Sequence, residues 1–321
     1  MGYGTLGRDP GGFREKEVTS GIEMRERIRS MILSCGASAC GFACAGDIPE
    51  ECDSQFREWI ASGHHAGMDY LERHVLLRRN LSNVLEGVST VISVAFDFSL
   101  PDSSFPVAGY AVGKDYHKTL RQILKAPCAD ISVMTGGRTR VCIDSAPVAE
   151  RYWAVKSGIG IRGVNGSVII PGHGSCCFLA EILLTAFLPP DSPGSGEIEC
   201  GRCGACVRLC PMGAISGDGT IDSRKCLNYL TIEHKGSFPD EAENLTLVKL
   251  FGCDVCLGVC PHNHNCKGRK VYPDFLPMPR ITGLTKERIK EMTEEEYDIL
   301  LQGSPLRRAG LSGLRRNAEK C

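Results

Sequence analysis

The chain has 321 residues, 42% of them hydrophobic, and a formal net charge of -1. There is enough apolar material for one large cored domain or two modest ones, and the balanced charge excludes a global pull on nucleic acid, so any such partner must use a local basic patch. No apolar run is long enough to cross a bilayer: the nearest, 179–188, is short and contains Glu181.

In chain order, the first twenty residues carry Arg8, Asp9, Arg14, Glu15, Lys16 and Glu17 rather than a signal peptide's apolar core. The expectation is a flexible leader over 1–20 and a cytoplasmic location. Residues 21–45 read as a helix followed by a Gly/Ala/Cys-rich strand. Val88, Val91, Ile92, Val94, Ala95 and Phe96 mark a buried strand within 86–98. Asp115 is placed to cap a helix whose Tyr116, Leu120, Ile123 and Leu124 share one face, and Pro127 should end it. Short strands are expected at 140–143 and 168–170, with a buried helix at 179–187. Helices and strands alternate, so this half is α/β-like, and the class is α+β or α/β.

The Pro/Ser/Gly-rich run 189–196 reads as a linker. A cysteine module follows it. After Cys266 a stretch with Pro273, Pro277 and Pro279 leads into a helical tail, where Thr293 and Glu296 form a capping-box pair and Gly303 is a stop signal. The expected organisation is a leader at 1–20, an α/β domain at 21–190, a ferredoxin-like double-cluster domain at 191–270 and a Pro-rich segment with a basic helical tail at 271–321.

Eighteen cysteines in a chain of this length, many of them clustered, point to cofactor ligation rather than disulfides. Cys200, Cys203, Cys206 and Cys210-Pro211 match the ferredoxin run for two [4Fe–4S] clusters. Three thiolates spaced by two wrap one cubane, and the fourth is carried to the other. Cys253, Cys256 and Cys260-Pro261 repeat the pattern one thiolate short, and Cys226 is the obvious supplier. Crossing the copies gives Cys200, Cys203, Cys206 and Cys260 for cluster one, and Cys210, Cys226, Cys253 and Cys256 for cluster two. Structural zinc, which favours two separated Cys-x2-Cys pairs, fits this spacing poorly. The other cysteines, including Cys176, Cys177 and Cys266, read as small core residues or incidental thiols.

An electron carrier needs only the clusters, so the half before the linker should hold whatever receives the electrons. Gly158, Gly160 and Gly163 match G-x-G-x-x-G, but 154–156 reads as helix and 168–170 as strand, the reverse of a dinucleotide-binding turn.

Several stretches carry a resemblance to a known family. They are Gly67-Met68-Asp69-Tyr70-Leu71-Glu72-Arg73-His74, Tyr110-Ala111-Val112-Gly113-Lys114-Asp115-Tyr116-His117-Lys118, Asp144-Ser145-Ala146-Pro147-Val148, Phe178-Leu179-Ala180-Glu181-Ile182-Leu183, the cysteine run, Cys226-Leu227-Asn228-Tyr229-Leu230-Thr231-Ile232-Glu233-His234, Gly252-Cys253-Asp254-Val255-Cys256 and Gly303-Ser304-Pro305. With them the chain resembles epoxyqueuosine reductase, the cobalamin and iron–sulfur enzyme of tRNA queuosine biosynthesis, over roughly residues 22–318.

The resemblance implies reduction of an epoxide on a modified anticodon base to the alkene, with electrons from two [4Fe–4S] clusters reaching cobalamin bound by the 21–190 domain. It implies Asp144 as proton donor, with a pKa raised by burial against the corrin, and Arg73, Tyr116, His117 and Asp144 as residues lining the cobalamin. It also implies cobalamin without a protein histidine on cobalt. On the residues alone, Asp144 reads as a turn carboxylate, Arg73 as a solvated helix face, and Tyr116 and His117 as a first helical turn.

The family's Gly-Trp-Ile-Gly-Lys-Asn is here Gly160-Ile161-Arg162-Gly163-Val164-Asn165, and its Ser-Tyr-Leu-Thr is Asn228-Tyr229-Leu230-Thr231. The implied partners are the tRNA anticodon stem-loop and an external low-potential electron donor, with no membrane and a monomeric state. Arg307, Arg308, Arg315, Arg316 and Lys320 form the one dense basic stretch and are the expected phosphate contacts. A corrinoid reductase acting on a small molecule, in the manner of reductive dehalogenases, and a non-enzymatic electron carrier are the alternatives.

Overall fold

In a computed structural model of the chain, the residues described are 15–191, 200–239, 242, 246–247, 249–264, 266 and 268–321. Most of the expected leader (1–14) and of the linker (192–196) lies outside them.

Helix α1 (Glu15–Ser34) begins inside the segment expected as leader and runs into strand β1 (Ala39–Cys44). Helices α2 (Glu50–Ala61), α3 (Asp69–Arg73) and α4 (Val75–Arg79) follow, then strand β2 (Thr90–Asp97) and helix α5 (Tyr116–Thr135). Strand β3 (Thr139–Cys142), helix α6 (Glu150–Lys156), the short strands β4 (Ile161–Arg162) and β5 (Val168–Ile169), and strand β6 (Cys177–Leu184) complete this half.

The main sheet has the order β1-β2-β6-β3, and every pairing in it is antiparallel. Alternate side chains of a strand face opposite ways. Ile92, Val94 and Phe96 of β2 pack with Ile28 and Ile32 of α1 and Leu120, Leu124 and Ile131 of α5. Val91 packs instead with Trp153 of α6, and Ala95 with Ala154. The sheet is therefore covered on both faces.

That double cover explains one departure from expectation. Residues 179–187 were expected to form a buried helix, yet β6 runs through them as a central strand. A strand buried on both faces is an unbroken apolar run, and periodicity does not separate that from a buried helix. A second departure concerns Pro127, which is buried inside α5 instead of ending it. Its missing N–H and ring clash typically cost about 3 kcal/mol, outweighed here by packing between α1 and the sheet. The helix stops at Gly136, whose φ of +69° makes a left-handed cap. Asp115 does cap α5, accepting the His117 N–H.

The chain at 189–191 is tied down. Arg29 donates to both Asp191 carboxylate oxygens, at 2.7 and 2.8 Å, and the Phe42 N–H donates to Asp191 Oδ2 at 2.9 Å. Downstream, short helices α7 (Ala205–Arg208) and α8 (Leu227–Ile232) sit in the cysteine module. The final helices build their own core from Ile281, Ile289, Leu301, Leu306 and Leu314, joined by Val107, Ala111, Val112 and Phe251. The Thr293–Glu296 capping box is present, and Gly303 has φ +70°.

Candidate active site

The cysteine module brings its thiols together in two quartets. Burial pushes up the Cys260 thiol, and Cys200, Cys206 and Cys203, which face it, add to the effect. These four line one cavity, walled by Val164, Asn165 and Ile169. Burial likewise raises Cys253 to about 11, with Cys226 and Cys210 opposite, and Cys256 to about 12, facing Cys253, Cys226 and Cys210. Cys256 also faces Cys206, so the quartets are neighbours. Backbone N–H groups already point at sulfur: Val164 donates to Cys200 Sγ at 3.4 Å and Ala214 to Cys210 Sγ at 3.3 Å. Such N–H···S contacts tune iron–sulfur clusters. Cys40, Cys128, Cys142 and Cys176 are buried core residues, and Cys266 donates to backbone carbonyls.

The quartets differ in what they face. Cys203 is exposed, so the first opens to solvent. The second faces Tyr110, whose hydroxyl is driven up by burial and by Asp254, Cys226, Cys253 and Asp144 around it. Tyr110 O–H donates to Asn228 Oδ1 at 2.9 Å, and Asn228 Oδ1 also accepts the Cys253 N–H at 2.9 Å. Tyr110 thus lies between the second quartet and Asp144.

Asp144 sits in the turn from β3 to α6, beside the start of α5. Its φ is +53°, and the Ile143 carbonyl accepts the Ser145 N–H across it. Tyr116 O–H donates to Asp144 Oδ2 at 2.5 Å, and His117 Nε2 lies 3.1 Å from the same oxygen. The other ring nitrogen, His117 Nδ1, lies 3.0 Å from Asp115 Oδ1. The Asp144 N–H donates to Glu150 Oε1. Protein atoms crowd the carboxylate from below, but 60% of the side chain is open to solvent.

The protein's own groups keep the resting proton off Asp144. Burial acts to raise Asp144, but hydrogen bonds from His117 and Tyr116 and the charges of His117 and Arg151 outweigh it, holding the carboxyl below the usual range. Burial opposes charge on His117, yet Asp115 and Asp144 push it up to about 9. Burial and the Asp144 charge lift Glu150 to about 8. At neutral pH the protons rest on His117 and Glu150. The rise expected from burial against the corrin is a separate contribution, which would act against these two donors on Oδ2.

Arg73 ends α3 exposed and has no ion pair among the described residues. It shares this region with Tyr70, raised to about 12 by burial and by Glu233 and Asp144. Sequence reasoning missed Glu150, Arg151, Tyr110 and Asn228. An acid–base pair opening the helix after the Asp-Ser-Ala-Pro turn was the available signal for the first two.

The basic tail is consumed internally. Arg308 forks onto Glu233, at 2.8 Å for both bonds, and Arg307 pairs with Asp298 at 2.7 Å. Arg315 donates to the Met292 carbonyl at 2.6 Å. Arg316 donates to the carbonyls of Leu230, His234 and Gly236 and lies over the Phe238 ring. Arg308 and Arg316 tie the C-terminal helices to the cysteine module, and Arg307 and Arg315 bond within those helices, so all four arginines expected as phosphate contacts already have partners inside the protein. The G-x-G-x-x-G run follows helix α6 and contains β4, which leaves it no dinucleotide geometry.

The family model described as "Epoxyqueuosine reductase QueG, DUF1730" matches residues 78–145, and "4Fe-4S double cluster binding domain" matches 199–263. The epoxyqueuosine reductase of Cyclobacterium marinum is 36% identical over 300 residues, 90% of this chain and 94% of that protein. The Escherichia coli K12 enzyme is 32% identical over 305 residues, 90% of this chain and 78% of that one. The solved epoxyqueuosine reductase of Streptococcus thermophilus superposes with a TM-score of 0.81 at 26% identity, over 92% of this chain and 79% of that chain. A further epoxyqueuosine reductase, solved with an epoxyqueuosine-modified tRNA stem loop, shares the fold at TM-score 0.84 and 24% identity, over 93% of this chain and 80% of that one. These relatives are oxidoreductases, which removes the reading as a bare electron carrier. With such identity across nine-tenths of its length, the chain belongs to the epoxyqueuosine reductase family.

Proposed function

We propose that the protein reduces epoxyqueuosine in the anticodon stem-loop of tRNA to queuosine, with Asp144 delivering protons to the departing oxygen. The observation that carries this reading is the Asp144–Tyr116–His117 cluster, set on the Tyr110 side of the second cysteine quartet. A relative of the same fold has been solved with a tRNA stem loop bearing epoxyqueuosine, which supports tRNA as substrate.

The residues fit the groups the family implies. Cys200, Cys203, Cys206 and Cys260 would hold one [4Fe–4S] cluster, and Cys210, Cys226, Cys253 and Cys256 the other. The two N–H···S contacts suit a sulfide-rich guest. His117 has both ring nitrogens engaged, by Asp115 and Asp144, which suits a cobalamin carrying no protein histidine on its metal. Arg73 and the exposed Leu76 and Leu77 of α4 offer a cation and apolar surface for the corrin ring. When bound, the clusters would supply electrons singly and cobalamin would supply a strongly nucleophilic low-valent metal centre.

Removing the epoxide oxygen as water consumes two electrons and two protons. Asp144 rests without a proton and holds at most one, so it must be charged before each of the two transfers. His117 is the donor in place: it is protonated at neutral pH, touches Asp144 Oδ2, and is partly open to solvent. Tyr116 fixes the carboxylate, and Asp115 fixes the ring. Arg151 and Arg162 are exposed and form no salt bridge among the described residues, and they are the cations available to tRNA phosphates. The reading carries with it a cytoplasmic location, a monomeric state and an external low-potential donor. Among the described residues no helix is long and apolar enough to cross a membrane.

The test is anaerobic reconstitution with iron, sulfide and cobalamin, followed by incubation with epoxyqueuosine-containing tRNA and a chemical reductant. Nucleoside mass spectrometry should show epoxyqueuosine replaced by a product one oxygen lighter. Unchanged tRNA alongside reduced clusters would contradict the reading.

A further inference from the structure

The turn that carries Asp144 is strained, and a residue outside the proton-transfer contacts holds it. Asp144 is a non-glycine residue at φ +53°, centred in a three-residue turn closed from Ser145 to Ile143. Positive-φ turns of this kind are rare and strained. They persist only where the surroundings over-determine them.

Tyr116 and His117 hold the carboxylate, but that is the reacting group, and its hydrogen bonds change whenever it gains or gives a proton. Arg121 reaches the Ser145 hydroxyl at 3.1 Å, one residue away. The contact on the Asp144 backbone itself is Glu150, which accepts the Asp144 N–H. Glu150 is the first residue of α6, and the next turn of α6 buries Trp153 and Ala154 against the sheet. A rigid helix therefore grips the turn at its most strained residue. The contact survives although Glu150 faces the negative charge of Asp144; burial first and this charge second raise the Glu150 proton affinity. In the Bacillus subtilis epoxyqueuosine reductase, 25% identical with a TM-score of 0.83, the catalytic loop has been seen swung out of the active site, so in that protein the loop has more than one position.

We propose that Glu150 is a positioning residue: by accepting the Asp144 N–H it latches the 143–147 turn in the conformation that presents Asp144 to the substrate. The proposal rests on the reading of Asp144 as the proton donor.

Hydrogen exchange of the holoprotein, resolved to the Asp144 amide by fragmentation mass spectrometry, tests the latch without turnover. Glu150→Gln keeps a carbonyl acceptor of the same reach; Glu150→Ala and Glu150→Met do not. Exchange at Asp144 should rise about fivefold in the Ala and Met variants, the factor expected for losing one ordinary hydrogen bond. In the Gln variant it should stay within about twofold of the parent, and β2 and β6 amides should be unchanged throughout. Should the Ala variant fail to fold, the Met variant carries the comparison. Equal exchange in all variants, or Gln exchanging as fast as Met, overturns the latch. The two readings separate cleanly: a latch seen by exchange, with turnover untouched in Asp144→Asn, leaves Glu150 a positioner of a turn that is not the acid. The reverse result keeps the acid and removes the latch.

Discussion

Replacing His117 with Gln should flatten the alkaline limb of the protein's stability. In the folded chain His117 lies between Asp115 and Asp144, and its pKa is raised from 6.5 to about 9. At about 1.4 kcal/mol per pH unit, that corresponds to roughly 3 kcal/mol. Asp144 is 60% open to solvent, and screening on that side reduces the figure to about 1–2 kcal/mol. Because the folded value is the higher one, the stabilisation is complete below pH 6.5 and is lost as pH rises through about 9. Chemical-denaturant unfolding from pH 6 to pH 10 should show the parent losing about 1–2 kcal/mol more than His117→Gln across that window. Turnover of the parent should fall over the same alkaline range as the recharging proton is lost. Parallel stability curves for the two proteins would refute a charged His117 between two carboxylates.

Three further outcomes follow from the same geometry. Reconstituted protein should bind about eight irons, and Cys226→Ala should lose about half of them while the cluster held by Cys200, Cys203, Cys206 and Cys260 still gives its reduced EPR signal; full iron content in the variant would break the crossed assignment. Arg316→Ala removes three carbonyl contacts and the packing on Phe238, and should destabilise the fold by roughly 2–4 kcal/mol in denaturant melts; a loss below about 0.5 kcal/mol would return the tail to the solvent. Arg307→Ala should leave the salt dependence of tRNA binding unchanged, because that side chain is spent on Asp298 and lies over Tyr297; a flattened salt slope would restore the tail as a phosphate contact.

What could be read from the sequence was local. The Asp115 cap, the Thr293–Glu296 box and the Asp-Ser-Ala-Pro turn each depend on residues a few positions apart, and each appears in the structure. What could not be read depends on tertiary cover. Residues 177–184 are a strand because α1 and α5 close one face of the sheet and α6 the other, and nothing in an unbroken apolar run records that. Pro127 stays inside α5 because it lies on the buried side of the helix, among Leu124, Cys128 and Ile131. The arginines at 307–316 look free in a charge count, but their carboxylate and carbonyl partners lie up to 86 positions away. The two donors on Asp144 were hidden for a related reason: their hydrogen bonds come from the far end of a 27- to 28-residue loop closure.

The central claim is that Asp144 hands protons to the epoxide oxygen without holding the cofactors. Asp144→Asn keeps the size of the side chain but carries no transferable proton at neutral pH. The measurement is epoxyqueuosine turnover on tRNA by parent and variant prepared with matched iron and cobalamin content. The account predicts normal cluster assembly, a near-parental cobalamin spectrum and turnover lowered about a hundredfold or more. Turnover within a few-fold of the parent would contradict it.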